Sequence, residues 1–417
     1  MRILVITNYY PPVELGGWEQ LTCNVVTKLQ EHDLQVEVLT SNYHKDQILI
    51  SEPHIHRSLH LESYDPEKYH PSYTYFHHQQ ERENIEKLTW LVNSFEPDII
   101  YINGMWNLPY SLAKSSEELL PGRVVYYIAS YWPTEIDAHT AYWTSPAENF
   151  FRQLPKSILG SLVKKTFISS TPRNKLNFDL VLCVSEFLQD YMVEEVGVPR
   201  KRTRVVHNGI ELELFKARSI PTDNNKLHLL YAGRLSPDKG VHTVLESLGI
   251  LRETRPDLAI DLSIYGGGTQ DYQNRLEQLI AKFHLEIDVR FKGVVSREDM
   301  PNVFAAHHVL IFPSIWAEPL ARIIQEAMAC GLVVIGTSTG GTKEILSDGE
   351  NGLIFDAGDA QMLAEKIIQI YDDEMLRTRL AKAGRRTVKE EFSLDRMVEE
   401  IEKSFTQFLE KRKYLIE

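Results

Sequence analysis

The segment Phe312–Gly331, FPSIWAEPLARIIQEAMACG, closes a short apolar run, His308–Phe312, and then changes from strand-like to helix-like patterning. Pro319 suits the first turn of a helix, because its missing N–H is not needed there. Glu318 is then expected at the mouth of the helix and Glu326 about two turns inside it. At about 1.5 Å per residue the two acids would stand roughly 12 Å apart if both are helical. That is about the length of a nucleotide diphosphate carrying a sugar. A carboxylate accepts pairs of hydroxyl hydrogen bonds, so one can hold a hexose and the other a ribose. A helix N-terminus between them offers N–H groups and positive potential to phosphate oxygens.

Strand, loop and helix in that order make one βα unit, and the chain repeats it. Strand-like runs are expected at Arg2–Thr7, Gln35–Thr40, Asp98–Ile102, Arg123–Ile128, Asp179–Val184 and Arg204–His207. A second series comprises Leu227–Ala232, Ile260–Tyr265, Val289–Lys292, His308–Phe312, Leu332–Ile335 and Leu353–Phe355. Helix-period segments such as Glu19–Glu31 and Arg82–Phe95 lie between strands. Alternation of this kind implies α/β architecture, with parallel sheets and right-handed crossovers. Two series imply two doubly wound domains, in keeping with a length of 417 residues. The expected division is 1–212, a polar linker at 213–226, 227–392, and a helix-periodic tail at 393–417.

Composition narrows the function. A formal charge of −13 argues against nucleic-acid binding, which needs a basic face. Cys23, Cys183 and Cys330 are far apart, with no metal-ligand spacing, as expected of reduced thiols in a cytoplasmic protein. No apolar run is long enough for a membrane span. The basic residues Arg152, Lys156, Lys164, Lys165, Arg173 and Lys175 within 149–177 interleave with apolar ones. Such a stretch can lie on an anionic membrane surface; the alternative is a helix whose apolar side is core. Residues 45–80 lack clear periodicity and hold six histidines: His54, His56, His60, His70, His77 and His78. Their spacings fit no ligand template and few carboxylates are expected to pair with them, so a solvated insertion is expected and no metal site.

Three further motifs carry chemistry. In YAGRLSPDKGVHTVLESL, Tyr231–Leu248, Arg234 and Lys239 follow a strand and precede a helix. Ligands bind at that end of a strand in open α/β folds, and two fixed cations there can neutralise a pyrophosphate leaving group. Near the N-terminus, Gly16 and Gly17 stand between the first strand and first helix, where backbone can approach a phosphate closely. Gly266 opens a turn in IYGGGTQDY that lacks the spaced dinucleotide fingerprint. In VVHNGIELELF, Asn208 and Gly209 are expected to be turn residues, with the role of His207 open.

Together with its continuation, ACGLVVIGTSTGGTKEILSDGENGLIFDAGD, the opening segment resembles the Glu-X7-Glu signature of retaining nucleotide-sugar glycosyltransferases. The likeness is greatest to glycosyltransferase family 4, the glycosyl transferases group 1. The resemblance implies a GT-B fold, in which two Rossmann-like domains face each other across a cleft and the 393–417 helix crosses back to the first domain. It also implies transfer of a hexose with retained configuration from a nucleotide diphosphate sugar to a glycan, lipid-linked or small-molecule hydroxyl acceptor. Polysaccharide biosynthesis is a typical setting. By the resemblance, Arg234, Lys239 and Glu318 carry catalysis. Gly16, Gly17, Gly266, Pro319, Leu320, Ala321 and Glu326 join them at the donor, for which a UDP-sugar is favoured over GDP- or ADP-sugars. Trp18, Asn103, Trp106, Asp137 and His139 are candidates on the acceptor side.

The chain departs from the family pattern in two places. Leu320-Ala321 replaces the usual Phe-Gly pair, and Ala129-Ser130 stands where a His and Asp commonly follow the strand. In a front-face mechanism the leaving phosphate helps deprotonate the acceptor, so no protein nucleophile is required. No Asp-X-Asp pair occurs, which fits metal-independent catalysis without a cofactor. Two other functions compete: an epimerase or hydrolase of the same fold, and a catalytically silent nucleotide-sugar binder, suggested by Ala129. A silent binder would not need the full set of Arg234, Lys239, Glu318 and Glu326.

Overall fold

The computed structural model describes residues 1–13, 16–48, 52–62, 73–135, 176–216 and 226–416. Asp137, His139, all six basic residues of the 149–177 stretch, and residues 217–225 of the expected linker lie outside these.

The chain forms two compact units. The first contains Met1–Val184, Gln189–Val206 and Val398–Glu417; the second contains Ser185–Leu188 and His207–Met397. The first is built on β1 (Arg2–Ile6), β2 (Gln35–Ser41), β3 (Ile55–Leu59), β4 (Ile99–Ile102), β5 (Val124–Ile128), β6 (Leu180–Cys183) and β7 (Thr203–Val205). Its strand order is β3-β2-β1-β4-β5-β6-β7, with every pair parallel. Described helices of this unit include α1 (Gly17–Glu31), α2 (Tyr73–Phe95) and α3 (Tyr110–Leu119); α4 (Glu186–Glu194) starts in the second unit.

The second unit holds β8 (Leu227–Ala232), β9 (Ile260–Tyr265), β10 (Val289–Gly293), β11 (Val309–Phe312), β12 (Val333–Gly336) and β13 (Leu353–Ile354). They run in the order β10-β9-β8-β11-β12-β13, again all parallel. Its helices are α5 (Val241–Thr254), α6 (Gln270–Lys282), α7 (Met300–Ala305), α8 (Arg322–Cys330), α9 (Ala360–Asp372) and α10 (Glu374–Glu391). The last helix, α11 (Leu394–Ile416), begins in the second unit and enters the first, where Phe405 packs edge-on against Tyr101.

Crossover helices cover both faces of a parallel sheet, so its central strands are apolar throughout. The strands β4, β5, β6, β11 and β12 are buried at every position. In each sheet the strand order reverses between two central strands, β1 and β4 in one, β8 and β11 in the other. The loops leaving their carboxyl ends therefore diverge and open a crevice, the usual ligand site of such folds.

Every strand expected from the sequence forms, and among the described residues one further strand, β3, joins them. It runs IHRSL at the edge of its sheet with only Leu59 fully buried, so it has no apolar run to reveal it. The reading of residues 45–80 as a solvated insertion is corrected accordingly: they contribute β3 and the start of α2. Among the described residues, no helix is long and apolar enough to cross a membrane. Cys183 and Cys330 are buried and Cys23 half-buried; burial pushes the Cys183 thiol up to about 12.

Candidate active site

Two loops at the switch point of the second unit bring the principal candidates together. The first runs from β8 to α5 and carries Arg234 and Lys239; the second runs from β11 to α8 and carries Glu318. Backbone locks them to each other: the N–H groups of Ile315 and Trp316 donate to the Asp238 carbonyl at 2.8 and 3.1 Å. Gly240 turns the first loop into α5 with φ +70°, and a Cβ there would stand 2.0 Å from the Pro313 carbonyl oxygen. Only glycine permits this approach. As a result the Lys239 ammonium hydrogen-bonds the Glu318 carboxylate and lies 4.8 Å from the centre of the Trp316 ring. Ser314 Oγ donates to the same carboxylate at 3.2 Å. Arg234 is exposed on the first loop, with its carbonyl held by the Tyr231 hydroxyl at 2.6 Å.

The second acid of the motif has a different environment. Glu326 is only 8% exposed and faces Arg297 at 3.7 Å and Arg322 at 3.9 Å. Arg297 is simultaneously forked onto Glu211 at 2.9 and 2.7 Å and lies over the Phe215 ring. Burial pushes the Glu326 carboxyl up, partly offset by the two guanidiniums and reinforced by the Glu211 charge. Burial acts upward on Glu211 too, but its bonds to Arg297 and its attraction to Arg322 outweigh this and hold it below the usual range.

Several expectations about this region are corrected. Helix α8 starts at Arg322, not at Pro319, so Glu318 precedes the helix instead of standing at its mouth. The reason is a backbone contact. The Gly341 N–H donates to the Glu318 carbonyl at 2.7 Å, and a Cβ on Gly341 would stand 2.0 Å from the Pro319 carbonyl oxygen. Held against that strip, residues 318–321 stay out of the helix. Leu320 and Ala321 are buried, and Ala321 takes φ −81° and ψ 102°, which needs no glycine. At Gly266, where φ is +136°, a Cβ would stand 1.8 Å from the Gly233 carbonyl oxygen, so the turn requires glycine whether or not a donor lies beside it.

At the switch point of the first unit the residues are mainly neutral. Trp18, at the start of α1, donates its indole N–H to the Asn103 carbonyl at 2.8 Å and packs on Tyr127 at 5.6 Å. Asn103 is only 1% exposed and its amide donates to Thr22, which ties β4 to α1. Its amide group thus helps hold the loop after β4 in place, while its side-chain oxygen is buried without a hydrogen-bond partner among the described residues. Gly16 and Gly17 are exposed, but the Gly16 N–H donates to Glu19 at 3.1 Å, an acid at the site where a phosphate was expected. Trp106 is 45% exposed and abuts Tyr9, which meets Tyr43 edge-on.

Residues missed from the sequence include Ser314, Glu211, Arg297 and Glu344. Glu344 accepts the Glu186 and Phe187 N–H groups at 2.8 and 2.9 Å, and His207 Nε2 lies 3.0 Å from it. His207 is thus a partner to the acid that caps α4. Only the Gly-Gly-Thr-Lys-Glu run before Glu344 could have flagged it.

Two parallel Rossmann-like sheets, one with paired charges at its switch point, define a GT-B-type protein of the glycosyltransferase class. Residues 15–214 match the family described as Glycosyltransferase Family 4, and residues 214–387 match Glycosyl transferases group 1. The two matches abut at residue 214 and together span residues 15–387, so both halves of the chain are of glycosyltransferase type. The chain is 29% identical over 240 residues to spore coat protein SA of Bacillus subtilis, covering 53% of this chain and 63% of that protein. It is also 29% identical over 197 residues to D-inositol 3-phosphate glycosyltransferase of Paenarthrobacter aurescens, covering 45% and 48%. The chain thus spans about half to three-fifths of these curated relatives. Among solved structures, sucrose-phosphate synthase from Thermosynechococcus elongatus superposes with a TM-score of 0.71 at 20% identity, covering 98% of this chain and 99% of that one. Anabaena HepE in complex with UDP and glucose gives 0.64 at 21% identity, covering 97% and 99%.

Proposed function

We propose that this chain is a retaining, metal-independent glycosyltransferase that moves a hexose from a nucleotide diphosphate sugar to a hydroxyl acceptor. The observation that carries this reading is the pairing of Lys239 with Glu318 beside exposed Arg234, on the two loops of one switch point. Glu318 would accept hydrogen bonds from the donor sugar. Lys239 and Arg234 would take up the charge that develops on the diphosphate as the glycosidic bond breaks, stabilisation that acts mainly in the transition state. Lys239 already has an anionic partner, so donor phosphate would share or replace that contact instead of meeting a bare cation. The leaving phosphate would assist deprotonation of the acceptor, so Ala129 need not abolish turnover. Glu326 would reach the ribose from within its arginine cluster.

A UDP-sugar is the favoured donor, a choice supported by the fold likeness to the UDP-bound HepE. Glycans, lipid-linked sugars and small polyols are the acceptor classes, with spore coat protein SA and the inositol phosphate enzyme as relatives. The protein would work in the cytoplasm, with the 149–177 stretch meeting a membrane surface where the acceptor is lipid-linked.

The test is nucleotide release from UDP-, GDP- and ADP-hexoses with an acceptor panel, comparing the native chain with Lys239→Ala. Loss of one charge-stabilising group should lower kcat by roughly 10²–10³-fold while the fold is retained. Equal rates in the two proteins would refute the site. Donor binding without turnover would favour the silent binder, and an altered free sugar without transfer would favour the epimerase.

A further inference from the structure

Histidines in the first unit sit against glutamates brought in by the fold. His54 and His56 meet Glu37 on β2, His60 meets Glu83, and His77 and His78 meet Glu81. The expectation of few paired carboxylates is therefore reversed by tertiary structure and helix geometry. Among the described residues, one group is compact enough for an ion: single ligand atoms of His77, His78 and Glu81 all lie within 4.8 Å of one another. We propose that these three residues form a divalent cation site, of the zinc class, on the first turns of α2.

The helix makes the chelate. His77 and Glu81 are four apart and share a face, and His78 is three from Glu81. One carboxylate oxygen, Glu81 Oε2, lies 3.3 Å from His77 Nδ1 and 3.7 Å from His78 Nδ1. Donors bound tetrahedrally at the usual zinc distances stand about 3.3 Å apart, so the cluster needs only small side-chain adjustments. The two imidazoles are perpendicular, with centroids 6.2 Å apart, and approach from different directions.

The other carboxylate oxygen accepts the Ser111 hydroxyl from α3 at 2.8 Å, which orients Glu81 as an outer-shell partner orients a ligand. Burial pushes the Glu81 carboxyl up, but its bonds to His77 and Ser111 and the nearby His78 outweigh this and hold it below the usual range.

His77 and Glu81 are 11% and 18% exposed, whereas His78 is 52% exposed and faces a groove lined by Arg82, Ile85, Glu86 and Trp90. An ion there would keep a water-facing position. Two imidazoles and one carboxylate select zinc-like ions over magnesium or calcium. The His54–His56–Glu37 group differs in that each histidine meets a different oxygen of the carboxylate. This proposal does not depend on the transferase reading.

The experiment is calorimetric titration of the chelator-treated full chain with zinc and with magnesium, plus cobalt absorption as a report on geometry. One zinc should bind, with tetrahedral cobalt bands and much weaker magnesium binding. The double variant His77→Ala/His78→Ala should lose more than about 100-fold in zinc affinity, and Ser111→Ala roughly 10-fold. The control His54→Ala/His56→Ala should bind as the native chain does. His78→Gln, at an exposed position, should still weaken binding if the double variant fails to fold. Absence of zinc binding, equal magnesium affinity, or unchanged binding in His78→Gln would overturn the site.

Discussion

In the second unit, the loops after β8 and β11 are joined by backbone hydrogen bonds and a glycine-only approach, and they hold a lysine against a glutamate. In the first unit, the loops after β1 and β4 meet through an indole, a buried amide and a row of tyrosines, with exposed Trp106 at the rim. Both crevices arise from the same strand reversal. A parallel sheet therefore decides where a ligand can sit, while the loop residues decide what kind. Fixed paired charges suit a diphosphate, whose charge changes during reaction. Aromatic faces suit a sugar ring, which presents C–H groups and hydroxyls but no charge.

This contrast can be broken experimentally. Arg297→Ala tests whether the charge cluster of the second unit is a structural necessity. It would leave Glu211 and Glu326 facing each other with only Arg322 between. Breaking a buried pair costs about 3–5 kcal/mol, and the low end is expected because Arg297 and Glu211 keep 14% and 17% exposure. Urea unfolding followed by a probe in the second unit measures this, and a loss below about 1 kcal/mol would show the cluster to be dispensable.

Trp106→Ala tests the aromatic rim of the first unit. Acceptor KM should rise roughly 10-fold, about 1.4 kcal/mol, with donor KM unchanged and stability within about 0.5 kcal/mol. A change in donor KM instead would erase the division of labour between the two crevices.

The smallest effect concerns pH. Glu326 has a raised folded pKa, so the native state binds protons more tightly than the unfolded chain there. Its contribution to stability is largest below the unfolded value and falls as pH rises through the folded one. Glu211 and Glu81 have lowered folded pKa values; their stabilisation is present above the unfolded value and lost as pH falls through the folded one. Glu326→Gln should therefore gain stability relative to the native chain as pH rises from about 4.3 toward neutrality. A pH-independent difference in thermal unfolding would show that Glu326 titrates normally.

The strands were legible because those of a covered parallel sheet must be continuously apolar, and runs such as LVLC and VLIF admit no other placement. Strand β3 was not, because an edge strand with Arg57 and His56 in its middle has no such constraint. Glu318, Lys239 and Arg234 could be singled out because loop position after a strand is itself a sequence property. The start of α8 was misjudged because Pro319 satisfies the local rule for a helix start, while the backbone of Gly340 and Gly341, far along the chain, holds 318–321 apart from the helix.

Local sequence thus determined the two αβ series, the loops that carry charge, and the likeness to the glycosyltransferase families. Those depend on periodicity and on neighbours within a few residues. Tertiary structure alone decided which charges meet. Lys239 and Glu318, 79 positions apart, meet where two loops close across a switch point, and Arg297 and Glu211, 86 apart, are likewise joined only by tertiary packing. Likewise, His54, His56 and His60 acquired carboxylate partners because β2, β3 and α2 are packed against one another, whereas His77 and His78 meet Glu81 through spacing within α2. Electrostatic pairing acts over a few ångströms of space, and distance along the chain does not measure that.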